Sequence, residues 1–194
     1  MSVYFILGLI GVLFFLGIGR SGSEKPAKNN VFRLGNIGEY LCDAILGYFS
    51  SIGQENLSPL LFSELFAFSF FSIDRLLYTK QSTARNKITD TLYSTFDMVI
   101  TKVFPNTDIN YAHDFFDERV ADYAEMIRAG KDESEILKKL NFYLSQANEG
   151  NVYKSGESPI IIGNLTETFK QKIDINNFYF SYLTPLLNSI ADKC

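Results

Sequence analysis

From Val31 onward, apolar positions recur at intervals of three and four, the spacing of one face of an α-helix, and no stretch alternates as a half-buried strand would. The pattern divides into five amphipathic segments. The first covers Ile37 to Phe49, with Tyr40, Leu41, Ala44, Ile45 and Tyr48 on one side. The second runs from Ser58 to Thr79, where Ser58 is placed to cap and Pro59 fits the first helical turn. The third, Ser82 to Phe104, aligns Ile88, Leu92, Phe96, Val99, Ile100 and Val103, and Pro105 stops it. The fourth starts at the turn PNTD and carries Ile109, Ala112, Phe116, Val120, Tyr123 and Ile127 to an exit at Gly130. The fifth opens on Asp132 and Glu135 at capping-box spacing, and packs Ile136, Leu140, Tyr143, Leu144 and Ala147 before Gly150.

Beyond Gly150 the pattern weakens. Asn148 to Pro159 reads as a polar loop, Ile160 to Ile162 as a short extended piece, and Leu165 to Ile173 as helix. Pro185 is expected to break or kink the last segment, where Leu183, Leu186, Leu187 and Ile190 form one apolar face. The fold class expected is all-α: an N-terminal transmembrane helix, then a bundle of five to six helices.

The N-terminal span rests on Val3 to Gly19, VYFILGLIGVLFFLGIG, which contains no charge. As a helix, residues 1–19 would reach roughly 28 Å, close to the ~30 Å hydrocarbon thickness of a bilayer. A cleaved signal peptide is a competing reading, since Gly17-Ile18-Gly19 resembles a small-x-small cleavage site, but Lys or Arg before the apolar run is missing. A buried core helix would usually show a polar stripe. Arg20, Lys25, Lys28 and Arg33, against Glu24 alone, follow the run, so the positive-inside tendency places the remainder in the cytoplasm. The division expected is therefore an anchor at 1–19, a flexible basic tether at 20–30 and one helical domain at 31–194.

Leu57 to Tyr78 is apolar enough to raise a second span. Glu64, Pro59, Ser63, Ser69 and Ser72 interrupt it, and a carboxylate in mid-membrane is costly. A central bundle helix needs no such cost, and Glu64 would then meet a rim or an internal partner, with Arg75, Arg85 and Arg119 as the available guanidiniums.

Charge and composition narrow the partners. The chain carries −4, of which residues 20–33 contribute +3, so the remainder carries −7. That acidity argues against nucleic acid, whose phosphates require Lys and Arg. Cys42 and Cys194 make no disulfide framework and fit a reducing compartment.

Candidate chemistry is sparse. His113 and Asp117 lie four apart on one helix face, beside a second pair, Asp114 and Glu118, and together could approach a metal; a di-metal bundle would want two Glu-x-x-His pairs, and His113 is the single histidine. Cys42 and His113 could act as nucleophile and base only if the fold joined two helices. GNIGEY follows no strand and is no phosphate loop. Phe62, Phe66, Phe68, Phe70 and Phe71 crowd one helix, as core or as the lining of an apolar groove. No cofactor is implied. The expected role is a membrane-tethered interaction or scaffold module, held to the bilayer by residues 3–19 and engaging another protein. The alternatives are a carrier or sensor of an apolar ligand and, behind it, a hydrolase or metalloenzyme built on Glu64, His113 and Asp117.

Overall fold

The computed structural model describes residues 33–53, 58–148, 151–152, 160–161 and 173–194. Six helices make up this part: α1 (Ile37–Ser51), α2 (Pro59–Thr79), α3 (Arg85–Val103), α4 (Ile109–Arg128), α5 (Glu133–Asn148) and α6 (residues 175–191). A 3-10 turn, Leu34–Asn36, leads into α1. Between α5 and α6, β1 (Asn151–Val152) and β2 (Ile160–Ile161) pair antiparallel, Asn151 opposite Ile161 and Val152 opposite Ile160. The extended piece expected at Ile160 thus has a partner in what reads as polar loop. The expected anchor at 1–19, the tether at 20–30 and most of the helix expected at Leu165 to Ile173 lie outside the described residues. No helix among the described residues is long and apolar enough to cross a membrane. For Leu57 to Tyr78 this favours the central-helix reading over a second span.

The helix ends are where local chemistry puts them. Ser58 Oγ accepts from Leu61 N at 3.1 Å and Pro59 occupies the first turn of α2. Asp108 Oδ1 accepts from the amides of Asn110 and Tyr111 at 2.9 and 3.3 Å, opening α4 after the PNTD turn. At α5 the capping box closes reciprocally: Glu135 N donates to Asp132 Oδ1 at 2.9 Å, and Asp132 N to Glu135 Oε2 at 3.4 Å. Gly130 leaves α4 at φ +75°, a left-handed exit open to glycine.

α2 is the axis of the bundle, packing against α1, α3, α4, α5 and α6. Every residue from Leu61 to Phe71 is buried, which is why this helix is apolar on nearly all sides. Ser69 Oγ satisfies itself within the helix by donating to Leu65 O at 2.7 Å. α1 and α3 cross closely, because Gly38 leaves room for Thr95: a Cβ on Gly38 would stand 2.0 Å from Thr95 Oγ1.

At Pro185, where a break or a kink is expected, the chain stays helical, and Leu183, Leu186 and Ile190 of the expected apolar face are buried. The chain runs on through Ile175–Asn177, a π-helical stretch Phe178–Leu183, and Thr184–Ala191. Pro185 has no amide to donate, and the wider turn before it accommodates the loss. Both the amide and the hydroxyl of Thr184 donate to Tyr179 O, the hydroxyl at 2.8 Å.

Candidate functional site

The buried stripe of α4 runs Ala112, Phe115, Phe116, Arg119 and Tyr123. Arg119, which the expected stripe does not include, points inward with its side chain 3% exposed, while the expected Val120 packs half-buried against the core. Its Nε donates to Glu64 Oε1 of α2 at 2.9 Å, and the Glu64 side chain is 2% exposed. Of the three guanidiniums available to Glu64, Arg119 is therefore the one that meets it. Arg85 instead forks onto Asp74 at 2.6 and 2.7 Å, and Arg75 is exposed.

The guanidinium is shared. Its Nη1 lies 3.7 Å from Glu118 and 3.8 Å from Asp122, so one cation faces three carboxylates. Its plane rests on Tyr143 of α5, with Cζ 3.8 Å from the ring centroid, and on Phe115 at 4.7 Å. Tyr143 also donates its hydroxyl to Asp122 Oδ2 in a short hydrogen bond. Stacking and ion pairing together fix the Arg119 head, and the seam between α2, α4 and α5 is organised around it.

The electrostatics are uneven. Glu64 is pushed up to about 7, first by burial and then by the charges of Asp122 and Glu118, against the opposing pull of Arg119. Burial alone would lower Arg119, but the charge and hydrogen bond of Glu64 outweigh it and keep the guanidinium protonated. Tyr123 stands well above its ordinary value through burial and the charge of Glu64. Three buried oxygens at this seam, Glu64 Oε2, Tyr111 Oη and Tyr123 Oη, have no hydrogen-bond partner among the described residues. Orphaned buried polar atoms are costly, so their concentration around one ion pair marks the place where the core departs from simple packing.

The other candidates are dispersed. His113 turns Nε2 toward Asp97 Oδ1 of α3 at 2.8 Å, without the geometry of a directed hydrogen bond. Asp117 accepts the hydroxyl of Tyr93 at 2.9 Å. His113 and Asp117 are thus each engaged by α3 and not turned to a common point, and Asp114 is exposed. Among the described residues no group of three or more His, Cys, Asp or Glu side chains could hold a metal ion. Cys42 is buried on α1, and its thiol is pushed up to about 12 by burial, then by Asp43 and Glu39, which leaves it unreactive. It borders a hollow of about 270 Å³ between α1 and α3 with Thr95 and Met98, while His113 faces Asp97.

The five phenylalanines are placed in packed ring contacts. Phe66 meets Phe62, Phe96 and Phe116; Phe70 meets Tyr93 and Phe116; Phe68 and Phe71 both meet Tyr123. All five are buried. An apolar ligand would have to part these rings.

An open concavity lies elsewhere. A groove of about 900 Å³ runs between the first turns of α5 and the start of α6, lined by Glu133, Leu137, Asn141, Ile175 and Phe180 among others. Phe180 is 62% exposed there, an aromatic ring left in solvent where most aromatic rings among the described residues are buried. Periodicity placed Tyr143 on the packed face of α5, where it is buried, but singled out neither the groove nor Asp122 and Tyr111. The available signal was Arg119, whose spacing of three and four from Phe116, Phe115 and Tyr123 puts it on the apolar stripe. Comparisons with protein-family models, with curated proteins and with solved structures return no match for this chain.

Proposed function

We propose that this protein is a helical interaction module tethered to a membrane through residues 3–19, with its C-terminal domain on the cytoplasmic side. Its groove between α5 and α6 is the surface offered to a partner protein. The observation that carries the reading is the uncharged run Val3 to Gly19, followed by the basic, polar stretch RSGSEKPAKNN. Eleven such residues have an r.m.s. reach of about 20 Å, enough to let the domain swivel near the bilayer. The bundle supports the division of labour, because its own helices bury one another's apolar faces and α2 is a core helix with an internal ion pair.

An alkaline carbonate wash of membranes from cells expressing the full chain tests the tether. Retention of the full-length polypeptide in the pellet is expected, and its release into the supernatant would overturn the proposal. Protease protection then gives orientation: digestion of the helical domain in inverted vesicles, but not in right-side-out ones, is the cytoplasmic outcome.

A further inference from the structure

The seam between α2, α4 and α5 holds one guanidinium against three carboxylates, and the three are not equivalent. Glu118 and Asp122 are 27% and 23% exposed and keep access to water, whereas Glu64 is enclosed and has one oxygen without a partner. Asp122 is further held as an acceptor by the Tyr143 hydroxyl. The groups facing Glu64 are Arg119, Glu118, Asp122, Tyr111 and Tyr123 of α4 and Tyr143 of α5. Among the described residues, no charged side chain of α1, α3 or α6 is among the groups acting on it.

We propose that Glu64 is a proton-binding site which couples the packing of α2 against α4 to pH in the neutral range, Arg119 passing from Glu64 to Glu118 and Asp122 as the proton arrives. The step balances simply. A proton from solvent binds the Glu64 carboxylate, the buried seam gains one positive charge, and the guanidinium keeps its own proton and its stacking on Tyr143. Of the three acids Glu64 takes the proton, because an enclosed carboxylate has most to gain from losing its charge. The protonated acid can also donate from Oε2, the oxygen that has no partner when ionised. The folded bundle holds this proton more tightly than the unfolded chain does, so acidification from above neutrality toward mildly acid pH stabilises the folded bundle.

The test is a titration of the full chain in detergent micelles with carbon-13-labelled glutamate carboxyls, using Glu64→Gln to assign the resonance. One carboxyl titrating near neutrality and absent from E64Q is expected, and all glutamates titrating in the ordinary acid range would overturn the proposal. Hydrogen exchange, corrected for intrinsic rates, should show protection along α2 and α4 rising as pH falls in the parent chain; protection that does not change with pH overturns the coupling. Should E64Q fail to fold, Asp122→Asn supplies the same information. It removes a charge that raises Glu64 while leaving an acceptor for Tyr143, and must move the near-neutral midpoint down, an unmoved midpoint counting against the site.

Discussion

Replacing Arg119 with methionine deletes the cation while keeping an unbranched stem of similar length against Tyr143 and Phe115, so the loss is electrostatic before it is steric. Glu64 is then enclosed with two carboxylates near its former partner and none of the charge that opposed them. Breaking a buried pair from one side costs about 3 to 5 kcal/mol. Glu64 escapes the upper part of that range by taking a proton. Removing both partners, as in E64M/R119M, leaves no stranded charge and should stay within about 1 kcal/mol of the parent chain at neutral pH. The pH dependence carries the sign. A carboxyl raised from 4.5 to about 7 gives the fold an advantage that is complete below 4.5 and is lost as pH rises through about 7. The parent chain should therefore lose up to about 3 kcal/mol across that window, and the double variant should lack that loss. The penalty of R119M should grow with pH above about 7, where Glu64 of the parent chain gives up its proton and Glu64 of the variant, without the pull of Arg119, keeps it. Urea unfolding of the full chain in micelles, followed by far-ultraviolet circular dichroism at pH 5, 6, 7 and 8, measures all of this. Equal losses in R119M and E64M/R119M, or an R119M penalty independent of pH, would refute the reasoning.

Two further substitutions probe the bundle that holds the site. Gly38→Ala should destabilise by about 1 to 2 kcal/mol despite the better helix propensity of alanine, because the new Cβ would stand 2.0 Å from Thr95 Oγ1 and 2.8 Å from Thr95 Cβ. The same urea midpoints should show Thr95→Gly relieving the clash, so that the double variant is more stable than the two single effects added together; additive losses would show that α1 and α3 do not meet at this point. Asp108→Ala should cost about 1 kcal/mol by leaving the amides of Asn110 and Tyr111 without their cap, with hydrogen exchange faster in the first turn of α4 than elsewhere.

Much of the architecture could be read in the chain because its helix ends are written locally. Ser58 with Pro59, Pro105, Asp108, Asp132 with Glu135 and Gly130 each act on neighbours within a few residues, so their effect needs no knowledge of the fold. α6 was harder. Its π-helical turn depends on Thr184 reaching back five residues to Tyr179 O, an alternative to the break that Pro185 announces in sequence. α4 is legible at Ala112, Phe116 and Tyr123, which are buried as expected, but not at Arg119. A stripe through Val120 and one through Arg119 have equal helical periodicity, and hydropathy favours valine. What turns Arg119 inward is Glu64, fifty-five residues earlier and on another helix. Sequence named the pair's two members but could not supply the register that joins them, nor bring Tyr143 of α5 beneath the guanidinium.

That register matters because α2 has little else to define it. A helix buried on nearly every side by Phe and Leu can rotate at small cost in apolar area, since one ring replaces another against the same neighbours. Glu64 removes that freedom. Turning α2 away from Arg119 would leave both charges buried without each other, a penalty no exchange of phenylalanines offsets. The same arrangement reaches α5, where Tyr143 stacks on Arg119 and Leu137, less than two turns earlier on the helix, lines the groove with Phe180. A change in charge at Glu64 thus acts on a helix that also forms one wall of the open surface. The proposed proton site and the proposed partner site share α5 as their common element, and a shift in how Tyr143 seats on the guanidinium would be felt along that helix at the groove.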